Sequence, residues 1–219
     1  MNCEQFTDGT ENVLIVGLTG QTGAGKTTIS QMFADDGFAI INADKVARQV
    51  VTPHSTCLNE LCECFGNEIL LPDGNMNRAK VAEIVFSDAC KNEILGSIMY
   101  PYILKEILLQ IRAYAAEGKT WLLLDAPTLF ESHADDFCTL VLSVLAEPSI
   151  RIQRIMKRDG LTEEQAKKRM NAQLSEQYFR EHSDFVICNN GSQELLCEMT
   201  REVIENIREY RSMHNSYSE

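Results

Sequence analysis

The chain has 219 residues, 44% hydrophobic and 24% charged, and its 20 Lys and Arg against 32 Asp and Glu leave a net charge of −12. That composition excludes a disordered chain and provides a core for one domain carrying insertions. The acidic balance excludes non-specific binding to nucleic acid or to an anionic membrane, both of which need a basic surface. A small anion held in a local basic pocket stays compatible with it. No apolar run approaches the roughly 20 residues that span a bilayer. Met1 to Asn12 is polar and acidic, unlike a signal peptide, so a cytoplasmic protein is expected. The eight cysteines form no C-x-x-C pair and have no His at zinc-finger spacing. Cys57, Cys62 and Cys64 offer a possible metal group, but reduced thiols used as small apolar side chains are the expectation.

In chain order, Val13 to Val16 is a short β-branched run that reads as a strand buried on both faces of a parallel sheet. A glycine-rich turn follows, then a helix over Thr27 to Asp36 that Gly37 ends. Phe38 to Ile41 is the second strand, which completes a βαβ unit with a right-handed crossover. Ala43 to Val51 reads as a helix stopping before Pro53. A mostly helical stretch from Ser55 to Glu117, with a turn at Pro72-Asp73-Gly74, is too long for a crossover and reads as an inserted helical subdomain. Trp121 to Asp125, Leu140 to Leu145 and Phe185 to Cys188 are the remaining strands. Ser192 to Arg211 is a closing helix, followed by a polar tail expected to fray. Between the fourth and fifth strands, residues 151–183 concentrate Arg151, Arg154, Lys157, Arg158, Lys167, Lys168 and Arg169. A solvated helix face accounts for such a run; an anion-facing lid is the sharper expectation.

Gly20-Gln-Thr-Gly-Ala-Gly25-Lys26-Thr27 matches G-x-x-x-x-G-K-[ST] between a buried strand and a helix, where a phosphate-binding loop belongs. Glycines permit the tight turn that aims backbone N–H groups at phosphate oxygens, and the helix N-terminus adds positive potential. Gly20, Thr22, Gly23, Ala24, Gly25, Lys26, Thr27 and Thr28 are therefore candidates for binding ATP. Lys26 is expected to reach the β- and γ-phosphates and the Thr27 hydroxyl to ligate Mg²⁺. No N-K-x-D sequence marks guanine recognition, since Asn42-Ala-Asp44 and Asn189-Asn-Gly191 do not fit it.

Asp44 follows the second strand, and ligands of open α/β sheets bind beyond the carboxyl ends of the strands. It is expected near the γ-phosphate if the second strand neighbours the first or lies one strand away. A carboxylate there can take the proton of an attacking hydroxyl; the plain alternative is an N-cap for a helix starting at Lys45. Arg48 lies four residues on, on the same helical face, either to hold Asp44 ionised or to contact an acceptor phosphate. Asp125 ends the third strand, where a carboxylate can organise Mg²⁺ through water, or simply serve the turn before Pro127.

Gly17 to Thr28 and Ile41 to Val51 closely resemble dephospho-CoA kinases. So do Met76 to Phe86, Leu124 to Glu131, Lys157-Arg-Asp159 with Leu161-Thr162 and Gln173, and Asp184 to Ser192. The first block is common to all proteins with this loop; the ordered combination is specific. The resemblance implies phosphorylation of the ribose 3′-hydroxyl of dephospho-CoA by ATP, with Mg²⁺. It implies an α/β fold: a P-loop NTPase three-layer sandwich with a parallel sheet of about five strands, a helical insertion and a lid. Over a single domain, residues 12–52, 119–150 and 184–211 would form the nucleotide-binding core, 55–117 the coenzyme-binding insertion and 151–183 the lid. Asp44 would be the general base and Arg158 the lid arginine at the transferring phosphoryl group, with Arg154 the weaker candidate. Asn190 and Gly191 would lie near adenine, and Arg78 would bind the acceptor. Neither a protein partner nor a nucleic acid is implied. The family usually has Asp-Ala-Asp in place of Asn42-Ala-Asp44, often His-Pro in place of Tyr100-Pro101, frequently Asp at Cys188, and Leu at Thr128. Two other readings share parts of the sequence: a kinase for another small acceptor such as a nucleoside monophosphate, and an ATP-binding regulatory protein without turnover.

Overall fold

The computed structural model describes residues 9–86 and 89–215. Two compact units emerge, one of residues 1–41 and 114–219, the other of residues 42–113. The first unit is built on a five-stranded parallel sheet of order β2-β3-β1-β4-β5. Its strands are β1 (Leu14–Gly20), β2 (Ala39–Asn42), β3 (Trp121–Asp125), β4 (Leu140–Leu145) and β5 (Phe185–Cys188). The last three have the bounds read from their apolar runs. β1 runs four residues past Val16, because β3 and β4 flank it and pair through Leu18↔Asp125 and Gly20↔Val144. Its apolar run is interrupted by Gly17, where a Cβ would come within 2.7 Å of Cys138 Sγ, so the missing side chain is a packing requirement.

Helix α1 (Lys26–Asp35) buries Ile29 and Phe33. It ends in a Schellman arrangement, Phe38 N–H to Phe33 O at 3.0 Å and Gly37 N–H to Ala34 O at 3.1 Å. The core joins β1, β4, Leu123, α1 and the closing helix through Val16, Leu18, Phe33, Leu142, Val144 and Ile207, all fully buried. Burying each such side chain contributes about 1.5–3 kcal/mol before chain entropy is charged.

The second unit contains α2 (Ala43–Gln49), α3 (Thr56–Phe65), a 3₁₀ turn at Asn67–Ile69, α4 (Arg78–Phe86) and most of α5 (Ala89–Ala116). Its own core gathers Val51, Cys57, Leu61, Ile69, Val81 and Val85. It starts at Asn42, earlier than the boundary at Ser55 read from sequence. The turn at Pro72 to Gly74 is present: Asp73 accepts from the N–H and side-chain amide of Asn75 at 3.0 and 2.9 Å, and Leu70 bridges Met76. Helix α5 carries Pro101 in its interior. By length and composition alone, its Cys90–Ala116 portion is long and apolar enough to cross a membrane, contrary to the expectation that no apolar run approaches that length, although core helices pass the same test.

In the first unit, α6 (Pro148–Asp159), α7 (Glu163–Asn171) and α8 (Glu176–Glu181) lie between β4 and β5, and α9 (Gln193–Asn215) closes the chain. Thr162 and Gln165 form a reciprocal capping box on α7. Helix α9 extends four residues beyond Arg211 into the segment expected to fray. The rest of that tail, 216–219, and the polar start through Asp8 with Cys3 lie outside the described residues. The seven described cysteines are free thiols. Burial pushes Cys57 up to about 11, helped by the Glu60 carboxylate, and raises Cys138 further, which keeps both thiols protonated and unreactive.

Candidate active site

The phosphate loop is the turn between β1 and α1. Gly20 takes φ 131°, and a Cβ there would overlap the Val144 carbonyl. Gly25, the residue before α1, takes φ 104°, and a Cβ there would lie 2.5 Å from Asn189 Nδ2. Both positions accept only glycine. Gln21, 5% exposed, ties the turn to β4, its N–H donating to Val144 O at 3.0 Å and its Oε1 accepting from Ala146 N–H at 3.4 Å. Ala24 N–H donates back to Gln21 O at 3.1 Å. Lys26 Nζ donates to Gly20 O at 3.1 Å, which folds the side chain back over the loop. Thr27 is exposed and Thr28 half-buried in the first turn of α1.

Asp125 is buried at the end of β3, paired in register with Leu18 two residues before the loop. With the Thr27 hydroxyl it supplies oxygen donors, the chemistry that suits Mg²⁺. Glu131 had no role in the sequence reading. One of its carboxylate oxygens is buried without a hydrogen-bond partner. Burial raises its pKa, while the Lys26 ammonium pulls it down. Its only sequence signal is its place in the Leu124 to Glu131 block.

The basic segment is not a uniform lid face. Arg151 is 5% exposed, and its Nε donates to Thr22 O at 3.0 Å. Gln173 Oε1 accepts from Thr22 N–H at 2.7 Å and from Arg151 Nη2 at 3.3 Å. Arg154 Nη1 reaches Gly23 O, Ala24 O and Asn189 O at 3.3–3.4 Å, and Asn189 Nδ2 donates to Ala24 O at 2.7 Å. Arg158 is exposed and bonded through Nε and Nη2 to the Asp159 carboxylate at 2.7 and 2.8 Å, and Arg169 joins the same carboxylate at 2.8 Å. Arg154, the weaker candidate from sequence, is thus seated on the loop together with Arg151. Lys167 pairs with Glu163 at 2.6 Å, so this part of the charge run is a solvated helix face. Asn190 accepts from Glu147 N–H at 2.8 Å, joining the end of β5 to the start of α6; exposed Gly191 follows it.

In the second unit, Asn42 caps α2 by accepting from Lys45 N–H at 2.9 Å. The helix starts at Ala43, so the cap role weighed for Asp44 belongs to Asn42. Asp44 stands exposed in the first turn. Arg48 and Arg78 are exposed. Partial desolvation of its guanidinium and then the Arg48 charge lower the Arg78 pKa, and Asp44 raises it. β3 lies between β2 and β1, the second of the two placements on which the expectation for Asp44 depends. Asn42→Ala is expected to cost about 1 kcal/mol in denaturant unfolding, and Asn42→Asp almost nothing, because Asp caps as well as Asn.

A five-stranded parallel sheet with this loop after its central strand defines a P-loop NTPase fold of the small-molecule kinase type. The family model described as dephospho-CoA kinase matches residues 14–194. A dephospho-CoA kinase of Oryza sativa is 38% identical over 195 residues, 89% of this chain and 85% of the relative. One from Listeria monocytogenes is 39% identical, covering 82% of this chain and 90% of its own. Among solved structures, dephospho-CoA kinase from Campylobacter jejuni superposes with a TM-score of 0.66 at 27% identity, over 90% of this chain and 98% of that one. The chain belongs to the dephospho-CoA kinase family.

Proposed function

We propose that the protein transfers the γ-phosphoryl group of ATP to the ribose 3′-hydroxyl of dephospho-CoA, giving CoA and ADP. The match to the family over residues 14–194 carries this reading, and the loop between β1 and α1 supports its nucleotide half. Loop N–H groups and Lys26 hold the phosphates, while Asp44 takes the proton of the attacking hydroxyl. Arg158 releases Asp159 and turns to the transferring group, where a cation offsets the charge that develops; Arg154 stays on the loop. Arg48 and Arg78 bind the acceptor, and Asn190 and Gly191 lie by the adenine. Thr27 and Asp125 would hold Mg²⁺, which would supply positive charge against the phosphates. The 151–183 segment acts as the lid and excludes water that would otherwise take the phosphoryl group. Free thiols at the seven described cysteines suit a cytoplasmic enzyme.

The test is ADP release from ATP and Mg²⁺ in parallel reactions with dephospho-CoA, AMP, CMP or water. Stimulation by dephospho-CoA alone is the expected result. Stimulation by a nucleoside monophosphate would overturn the acceptor and keep the kinase. Absence of turnover with every acceptor would overturn the reaction.

A further inference from the structure

The loop that cradles phosphate is itself held from outside. Thr22 and Ala24 each present a carbonyl oxygen to a side chain from another part of the first unit: Thr22 O to Arg151, Ala24 O to Asn189 and Arg154. In a trans peptide the C=O of one residue and the N–H of the next point in opposite directions. Fixing the Thr22 and Ala24 carbonyls outward therefore aims the N–H groups of Gly23 and Gly25 the other way, toward the inside of the turn. These are donors that a phosphate needs aligned before it arrives.

We propose that Arg151 and Gln173 form a buried brace that sets this alignment, and that Gln173 is a positioning residue for ATP binding. The two side chains clamp one peptide residue at both polar ends. Arg151 Nε donates to Thr22 O, Gln173 Oε1 accepts from Thr22 N–H, and the same Oε1 accepts from Arg151 Nη2. The ring of three contacts closes on itself, so no member turns without breaking two bonds. Arg151 lies in the first turn of α6 and Gln173 two residues past the end of α7. The brace thus ties both ends of the α6–α7 pair to the loop. A buried guanidinium with a carbonyl and an amide oxygen as partners is a costly arrangement to maintain for packing alone. Both residues meet the loop at the Thr22 backbone, and each acts through it.

The inference rests on the loop being the ATP cradle, and nucleotide titration of the native enzyme checks that separately from the acceptor. Gln173→Met keeps the side-chain length and removes the acceptor. It leaves Thr22 N–H and one Arg151 N–H without their partner. ATP affinity by calorimetry is expected to weaken about tenfold, the scale of a buried bond left unmade. The KM for dephospho-CoA should stay put, and the melting temperature should fall by no more than about 4 °C. Gln173→Glu keeps the accepting oxygen beside Arg151 and is expected to bind ATP within about threefold of the native protein, since the acceptor is retained. Arg151→Lys is an independent arm: one ammonium cannot span Thr22 O and Gln173 as the fork does, and ATP affinity should again weaken while the acceptor KM holds. Native-like ATP binding by Gln173→Met, or equal losses in the Met and Glu variants, would overturn the brace. A native enzyme that binds no ATP would overturn the cradle itself.

Discussion

Asp44→Asn is expected to lower kcat by about 10²- to 10⁴-fold while both KM values move little, which is the scale of a lost general base. The substitution is close to isosteric and its site is exposed, so the fold has little reason to respond. The cap that starts α2 is supplied by Asn42 and survives the change. What the helix loses is one first-turn carboxylate, about 0.3–1 kcal/mol of dipole interaction. A melting curve near native alongside a collapsed kcat would therefore isolate chemistry from folding. The double variant Asn42→Ala with Asp44→Asn adds the capping loss to stability and leaves kcat where the single variant put it. A kcat for Asp44→Asn within a few fold of native would remove Asp44 from the proton-accepting role.

Lys26→Met is expected to reduce kcat by about 10²- to 10³-fold, the cost of deleting one charged donor from developing phosphoryl charge. The ammonium bonds Gly20 O across the turn, so its removal also loosens the loop, and KM for ATP should rise. Ile29 and Phe33 anchor α1 in the core, both fully buried, and neither depends on Lys26. Circular dichroism and melting should accordingly stay near native. ADP binding should survive better than ATP binding if the lysine serves the β- and γ-phosphates as proposed. Turnover within about threefold of native would show that the loop does not act on the transferring group, given the size expected for such a donor.

Much of the first unit was legible in the sequence because its signals are local. Trp121 to Asp125, Leu140 to Leu145 and Phe185 to Cys188 are continuous apolar runs, as strands buried on both faces must be. The G-x-x-x-x-G-K-[ST] string names its own geometry, since Gly20 and Gly25 take backbone angles that few other residues tolerate. Strand β1 extends past its apolar run through Gly17 and Gly20, where the Cys138 and Leu129 side chains and the Val144 backbone, respectively, leave no room for a side chain. Such a constraint is imposed across the sheet and has no periodicity along the chain.

The residues 151–183 show the other side. As sequence, the arginines and lysines there are one basic cluster. Only the tertiary structure divides them: Arg151 buried on Thr22, Arg154 on the loop carbonyls, Arg158 and Arg169 on Asp159, Lys167 on its own helix. Charge is a property of the residue, but its partner is chosen by which backbone the fold brings within about 3 Å of it. Gln173 is the clearest instance: it belongs to the block that resembles the family's lid, but only the fold brings it to Thr22, 151 positions away. The same holds for Asn42, a helix cap by virtue of where β2 ends and α2 begins. The sequence by itself determined the loop, the last three strands and the family, because their signals lie in short runs of residues adjacent in the chain. The tertiary structure alone decided which polar side chains hold that loop in shape, because a hydrogen bond forms only between groups that folding has already brought together.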